Sequence, residues 1–264
     1  MNPALHSRFT TQRGHSLRLS LPRKIVGDLI YFAKKVPTVP VQRVVNVRGL
    51  MTLRKQSQPR IGWCSLFTKA YAIVSNEVPE LRQCHLEYPW TRLYQHPQPV
   101  ASIAVERTFD GTDGVFFAHI PGPEAMSLPT LEDAIHYAKT APVRDAFGFY
   151  FFFYKLPRGL RRMTWWYLMN VRGSKKSTFM GTYGVSVYSS LGAESLHPLS
   201  TLTTTLNYGF IGDDGNVMVR IVYDHRVLDG AMVARALNRV EEVLNGDIAS
   251  ELKQLATVKL ASTG

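Results

Sequence analysis

The sequence predicts an α+β fold. Three observations lead to this prediction: several segments carry apolar residues at helical spacing, short β-branched runs lie between them, and a polar turn separates two strand-like segments near the C-terminus. Of the 264 residues, 45% are hydrophobic and 19% are charged, which is typical of packed globular proteins and excludes general disorder. No repeat or linker divides the chain, so we expect a basic N-terminal arm over residues 1–20 and one domain over residues 21–264.

The first third of the chain alternates between helical and extended patterns. Apolar side chains at helical spacing predict helices over Pro22–Val36 and Trp63–Val78, each followed by a proline. The run of valines over Val39–Val47 predicts a strand, and a short helix is expected over Gly49–Lys55.

The remaining elements follow from the same two periodicities. We expect strands at Val100–Val105, Val115–Ile120, Tyr183–Tyr188, Leu206–Ile211 and Asn216–Tyr223. We expect helices at Leu131–Ala141 and from Val233 to a terminus near Asn245-Gly246. The polar turn Gly212–Gly215 should close an antiparallel hairpin.

Residues 147–172 combine six consecutive aromatic residues with several arginines. We favour a core strand followed by a packing helix at a subunit contact. Aromatic residues beside cations also suit a membrane surface or a lipid-like acyl chain, and this alternative stays open. No run of roughly 18 uncharged apolar residues is present, so the sequence does not predict a spanning helix.

Charge and cysteine content restrict the partners. The net charge of +11 favours an anionic partner, such as nucleic acid, a membrane surface or a phosphorylated cofactor, and its even spread disfavours nucleic acid. Cys64 and Cys84 are too few for a disulfide framework or a four-cysteine zinc site, so we expect reduced thiols and a cytoplasmic location. The first acidic residue is Asp28, and this composition is shared with organelle transit peptides, which leaves targeting as an alternative.

The segment Asp224–Gly230 carries the strongest chemical signal. His225 lies between a strand and a helix, with one acid immediately before it and Asp229 four residues after it. Such neighbours can orient an imidazole and keep it neutral near pH 7, as a general base requires. The structural alternative is that Asp229 caps the helix and His225 is an ordinary turn residue. Metal binding by the two aspartates and the histidine is a weaker hypothesis.

This segment resembles the active-site motif of the dihydrolipoyl acyltransferases, the core components of 2-oxo acid dehydrogenase complexes, and a shorter motif of the chloramphenicol acetyltransferases. The resemblance extends through Arg23–Val26, Val47–Leu50 and Lys69-Ala70 to the terminal helix. It implies a chloramphenicol acetyltransferase-like sandwich of a mixed β-sheet with packed helices, a homotrimer, and active sites between subunits. It also implies that His225 takes a proton from a thiol or hydroxyl, which attacks a thioester without forming an acyl-enzyme.

The resemblance implies roles for further residues. Arg23 would pair with Asp229 and support the active-site turn. A serine would donate to the developing oxyanion: alignment on Leu191-Gly192 selects Ser189, which we favour, and alignment on Gly181-Thr182 selects Ser186.

We therefore expect a coenzyme A-dependent acyltransferase without a metal, acting on a thiol or hydroxyl acceptor. Lipoamide would have to come from another, lipoyl-bearing protein, because this sequence shows no lipoyl domain, linker or subunit-binding domain. A non-catalytic trimeric scaffold derived from such an enzyme is the main alternative. A serine hydrolase built on the same serine and histidine is disfavoured, since no Gly-x-Ser-x-Gly motif occurs.

Overall fold

The structure, a computed structural model, describes residues 14–187 and 192–262 and contains ten α-helices and eight strands within these ranges. The helices are α1 (Leu21–Ala33), α2 (Arg48–Gln56), α3 (Trp63–Glu77), α4 (Leu128–Thr140), α5 (Val143–Ala146), α6 (Gly148–Phe153), α7 (Arg158–Asn170), α8 (Gly173–Met180), α9 (Gly230–Val243) and α10 (Ala249–Ser262). The strands are β1 (Thr38–Asn46), β2 (Gln83–Leu86), β3 (Arg92–Gln95), β4 (Val100–Phe109), β5 (Thr112–Pro121), β6 (Tyr183–Val185), β7 (Thr204–Tyr208) and β8 (Asn216–Asp224).

Six strands form one mixed sheet in the order β1-β8-β7-β6-β4-β5. The short strand β6 runs parallel to both β4 and β7, and the other neighbours are antiparallel. Helix α3 packs against α4 and α9, whereas α1 and α8 pack against β5. The predicted α+β fold class is confirmed.

The aromatic segment forms a helix, so the expected core strand is wrong. Tyr150, Phe153 and Tyr154 are buried at helical spacing, while Phe152 is 73% exposed. Burial of one helical side therefore outweighs the strand propensity of consecutive aromatic residues. The separate β2–β3 hairpin was not predicted from the sequence.

The predicted end of the terminal helix near Asn245-Gly246 is also wrong. A π-helical turn, Leu244–Ile248, connects α9 directly to α10. Leu244, Ile248 and Leu252 are fully buried at a spacing of four residues, so burial continues the helix through Gly246.

Helix α7 has an uncovered apolar side. Leu160, Met163, Trp166 and Tyr167 are between 38% and 60% exposed, and Trp166 contacts the exposed ring of Tyr88. Within residues 14–187 and 192–262, no helix combines the length and apolar character needed to cross a membrane.

Candidate active site

Backbone hydrogen bonds hold the turn that follows β8. The N–H groups of Val227 and Leu228 donate to the carbonyl oxygen of Asp224 at 3.0 and 3.1 Å, and the N–H of His225 donates to Pro37 at 3.0 Å. The buried Asp224 carboxylate accepts from the backbone and the guanidinium of Arg226. The turn is therefore tied both to itself and to the segment that leads into β1.

The imidazole of His225 is oriented by a carbonyl group. Its Nδ1 atom lies 3.0 Å from the carbonyl oxygen of Leu228. Because a carbonyl only accepts, Nδ1 carries the proton in this bond, and Nε2 of the neutral ring keeps its lone pair. The Tyr223 ring packs edge-on at 5.6 Å between centroids, and the His225 side chain is 50% exposed. A nitrogen able to accept a proton is thus presented at the surface of the chain.

Asp229 stands at the N-cap position of α9, but its carboxylate makes no capping hydrogen bond. One carboxylate oxygen lies 3.9 Å from Nδ1 of His225, which is too long for a hydrogen bond, and the side chain is 88% exposed. The carboxylate therefore makes no direct hydrogen bond to the ring.

The predicted ion pair between Arg23 and Asp229 is not formed within the chain. Pro22, next to Arg23, lies against Gly114 of β5, whereas Asp229 follows β8. Strands β5 and β8 are four positions apart in the sheet, or about 19 Å. Arg23 is exposed at the start of α1, and this distance is beyond the reach of its side chain.

Only one of the two candidate serines lies among the described residues, because Ser189 falls within the undescribed residues 188–191. Ser186 directly follows β6, where its N–H donates to Leu206 and its carbonyl oxygen accepts from the side chain of Asn207. In the sheet register Asn207 pairs with Arg220, five residues before His225. Strand geometry then separates Ser186 from His225 by roughly 20 Å. A single chain does not bring these two side chains together.

A cavity of about 330 Å³ lies on one face of the sheet and includes Ser186 in its wall. Residues of β4, β5, β6 and β7 form its floor, and mainly apolar residues of α1, α6, α7 and α8 form its roof. Residues of the segment 195–202, which precedes β7, complete the wall, among them Ser195, Ser200 and Thr201. His225 does not line this cavity.

Four residues that lie side by side on neighbouring strands cross the floor of the cavity, and the sequence did not predict that they would meet. His119, Ser102, Gly184 and Thr205 are neighbours on β5, β4, β6 and β7, and we call them the polar row. They are separated by up to 103 positions in the chain, from Ser102 to Thr205, so only the strand register brings them together.

No protein-family model and no curated protein sequence matches this chain. The fold matches that of a truncated catalytic core of the 2-oxoacid dehydrogenase multienzyme complex from Thermoplasma acidophilum, with a TM-score of 0.65, 16% identity, and coverage of 88% of this chain and 99% of that chain. Dihydrolipoamide acetyltransferase from Azotobacter vinelandii gives a TM-score of 0.64 at 18% identity, with 91% and 94% coverage.

A chloramphenicol acetyltransferase matches with a TM-score of 0.50 at 12% identity, covering 87% of this chain and all of that chain. Likenesses at such identities show the fold. The mixed sheet and its helices thus have the chloramphenicol acetyltransferase-like fold shared by these catalytic cores.

Proposed function

We propose that the protein is an acyltransferase that moves an acyl group between coenzyme A and a thiol or hydroxyl, with His225 as general base. The observation that carries this proposal is the hydrogen bond from Nδ1 to Leu228, which leaves the Nε2 lone pair of the neutral ring free to accept a proton, on a side chain that is 50% exposed. The structurally similar Azotobacter enzyme supports it, since a serine, a histidine and an asparagine were investigated for roles in that enzyme's mechanism. There the histidine and asparagine are four positions apart, as are His225 and Asp229.

In the proposed reaction, Nε2 of His225 takes the proton of the acceptor thiol or hydroxyl. The freed sulfur or oxygen attacks the thioester carbonyl carbon, and the carbonyl electrons move onto oxygen to give a tetrahedral oxyanion. When the oxyanion collapses, the bond to the coenzyme A sulfur breaks, and that thiolate takes the proton back from Nε2. General-base catalysis of this kind contributes about 10²- to 10⁴-fold.

The separation of His225 from Ser186 implies that two copies form each site. We therefore propose the homotrimer that the resemblance implies, in which His225 of one copy faces the cavity of its neighbour. Ser186 or Ser189 would then donate to the oxyanion, and we keep Ser189 as the first choice. Basic side chains would neutralise the coenzyme A phosphates.

The acceptor follows from the same resemblance. Dihydrolipoamide carried by another protein is a candidate, because two structural neighbours are components of 2-oxoacid dehydrogenase complexes or dihydrolipoamide acetyltransferases.

The thiols of Cys64 and Cys84 are free, in keeping with the proposed cytoplasmic location.

The test is the rate of acyl exchange from acetyl-coenzyme A in two matched histidine variants. We expect His225→Ala to lower turnover about 10²- to 10⁴-fold. His136→Ala, at an exposed position on α4, should leave turnover unchanged. Turnover unchanged by His225→Ala would refute the assignment, provided that circular dichroism shows the same fold. Ser189→Ala and Ser186→Ala should differ, since loss of the true oxyanion donor costs about 10²- to 10³-fold.

A non-catalytic trimeric scaffold is the second candidate, and the Asp229 carboxylate favours it, because this group is 88% exposed and makes no hydrogen bond to His225. A scaffold would form trimers without turnover, and its melting temperature would not respond to acetyl-coenzyme A. An enzyme that binds this ligand only when folded would melt at a higher temperature in its presence.

A further inference from the structure

The cavity beside Ser186 is larger than a two-carbon acyl group requires. An engineered protein cavity of about 150 Å³ holds benzene, which has six carbons. At about 330 Å³, the cavity offers twice that space and could enclose roughly a dozen carbon atoms. An acetyl group would leave most of it empty.

The roof of the cavity is mostly apolar, with hydroxyl groups from Tyr154 and Thr164 among its hydrocarbon side chains. It is lined by Phe149, Phe153 and Trp165, together with apolar residues from α1 and α8. Among the described residues, no acidic or basic side chain other than that of His119 lines the cavity. Burial holds the pKa of His119 down, at about 4, so this ring is neutral near pH 7. The cavity therefore suits an uncharged apolar group.

The floor differs from the roof because the polar row crosses it. Thr205 is 4% exposed, and its hydroxyl has no hydrogen-bond partner among the described residues. Ser186 lies two residues beyond Gly184 of the polar row, so it is on the same face of the sheet. The cavity thus pairs uncharged hydrogen-bonding groups on one side with mostly apolar groups on the other.

We propose that this cavity binds the acyl chain of the substrate and selects chains of about six to ten carbons over acetyl. The carbonyl group would lie against the polar floor near Ser186, and the chain would extend beneath the aromatic roof. This inference rests on the proposed acyl transfer and adds the class of acyl group. An apolar acceptor of the same length would fit the cavity equally well, so the experiment varies the length of the acyl group and the length of the acceptor separately.

The experiment measures kcat/KM for acetyl-, butyryl-, octanoyl- and palmitoyl-coenzyme A with one small thiol acceptor, and binding of each by calorimetry. Each added methylene should strengthen binding up to about fourfold, the equivalent of 0.8 kcal/mol. We expect the increase to continue to octanoyl and to reverse at palmitoyl, which exceeds the cavity. Equal binding of acetyl- and octanoyl-coenzyme A would overturn the inference while leaving acyl transfer intact.

Two alanine-to-leucine variants provide the matched comparison. Ala104 lines the cavity floor, and Ala104→Leu should lower the octanoyl-to-acetyl ratio of kcat/KM at least tenfold. Ala234 is exposed on α9, so Ala234→Leu should leave the ratio unchanged. A ratio that responds equally to both variants would overturn the inference.

Two further outcomes test what occupies the cavity. The first would show that it binds an apolar acceptor instead of the acyl chain, and the second that it binds the acyl chain without transfer. If octanethiol is a better acceptor than a short thiol, and acyl length has no effect, the cavity holds the acceptor and the inference is wrong. In the other outcome, no acyl-coenzyme A supports transfer, but octanoyl-coenzyme A still binds more tightly than acetyl-coenzyme A, and Ala104→Leu removes this difference. The proposed function then fails, whereas the preference of the cavity for a long acyl chain stands.

Discussion

The buried carboxylate of Asp28 connects α1 to α7 across the roof of the cavity. Asp28 is 2% exposed and accepts from Nε of Arg161, with Nε of Arg162 at 3.4 Å. Asp28→Asn keeps the shape of the side chain but removes its charge, which leaves Arg161 buried without a counter-charge. Breaking such a buried pair typically costs about 3–5 kcal/mol.

The lower end of that range applies, because Arg161 has other partners. Its guanidinium also lies 4.5 Å from the centre of the Tyr154 ring and donates to the carbonyl oxygen of Leu156 at 3.3 Å. We therefore expect Asp28→Asn to lower the free energy of unfolding by about 3 kcal/mol. For a chain of this size, that loss corresponds to a decrease in melting temperature of about 6–12 °C.

Urea and thermal unfolding at one fixed protein concentration measure this loss, because the stability of an oligomer depends on concentration. Asp133→Asn is the matched control: Asp133 is exposed on α4, and its loss should change stability by less than about 0.5 kcal/mol. A double variant, Asp28→Leu with Arg161→Met, should recover most of the loss, since neither charge then remains buried. If Asp28→Asn costs no more than Asp133→Asn, the ion pair does not stabilise the roof.

Two further predictions concern pH and lipid. Burial lowers the pKa of His96 from 6.5 to about 4, so as the pH falls the unfolded chain takes up a proton on this group before the folded protein does. The stability contributed by the neutral, buried imidazole is therefore complete above about pH 6.5. It is lost as the pH falls to about 4, by about 3 kcal/mol. Denaturant unfolding across that range should show a smaller pH slope in His96→Gln, and an unchanged slope would contradict the assignment. The lipid hypothesis for residues 147–172 predicts that the protein co-sediments with vesicles of anionic phospholipid at low salt. Met163→Glu should weaken this binding. Phe210→Ala, at an exposed site outside α7, should not. Absence of binding by the unmodified protein would remove that hypothesis.

The sequence predicted best those elements whose burial is one-sided and whose ends carry a local signal. Helix α3 begins at Trp63, as expected, and ends at Glu77, two residues before Pro79. The hairpin of β7 and β8 forms around the expected polar turn, and the turn that holds His225 lies between β8 and α9 as expected. In these segments, local propensity and tertiary burial favour the same conformation.

The predictions that were wrong depended on contacts between distant parts of the chain. The aromatic run of α6 has strand propensity, and only its packing against the sheet makes it helical. Arg23 matched the resemblance by its order in the sequence, but α1 starts beside β5 rather than beside the turn that holds His225 in the same chain. The polar row depends on the register of four strands, which no local pattern of residues contains.

The topology of the sheet explains why the candidate site is divided. Because β8 is antiparallel to β7 whereas β6 is parallel to β7, β6 and β8 end at opposite edges of the same sheet. His225 follows the end of β8 and Ser186 follows the end of β6, so no rotation of either side chain could join them within one chain. Acyl transfer that uses both residues therefore requires a second copy to present its cavity to His225. It follows that a variant that dissociates the proposed trimer should lose the proposed acyl transfer even when His225 and the cavity are unaltered. Specific activity measured against protein concentration would reveal this loss.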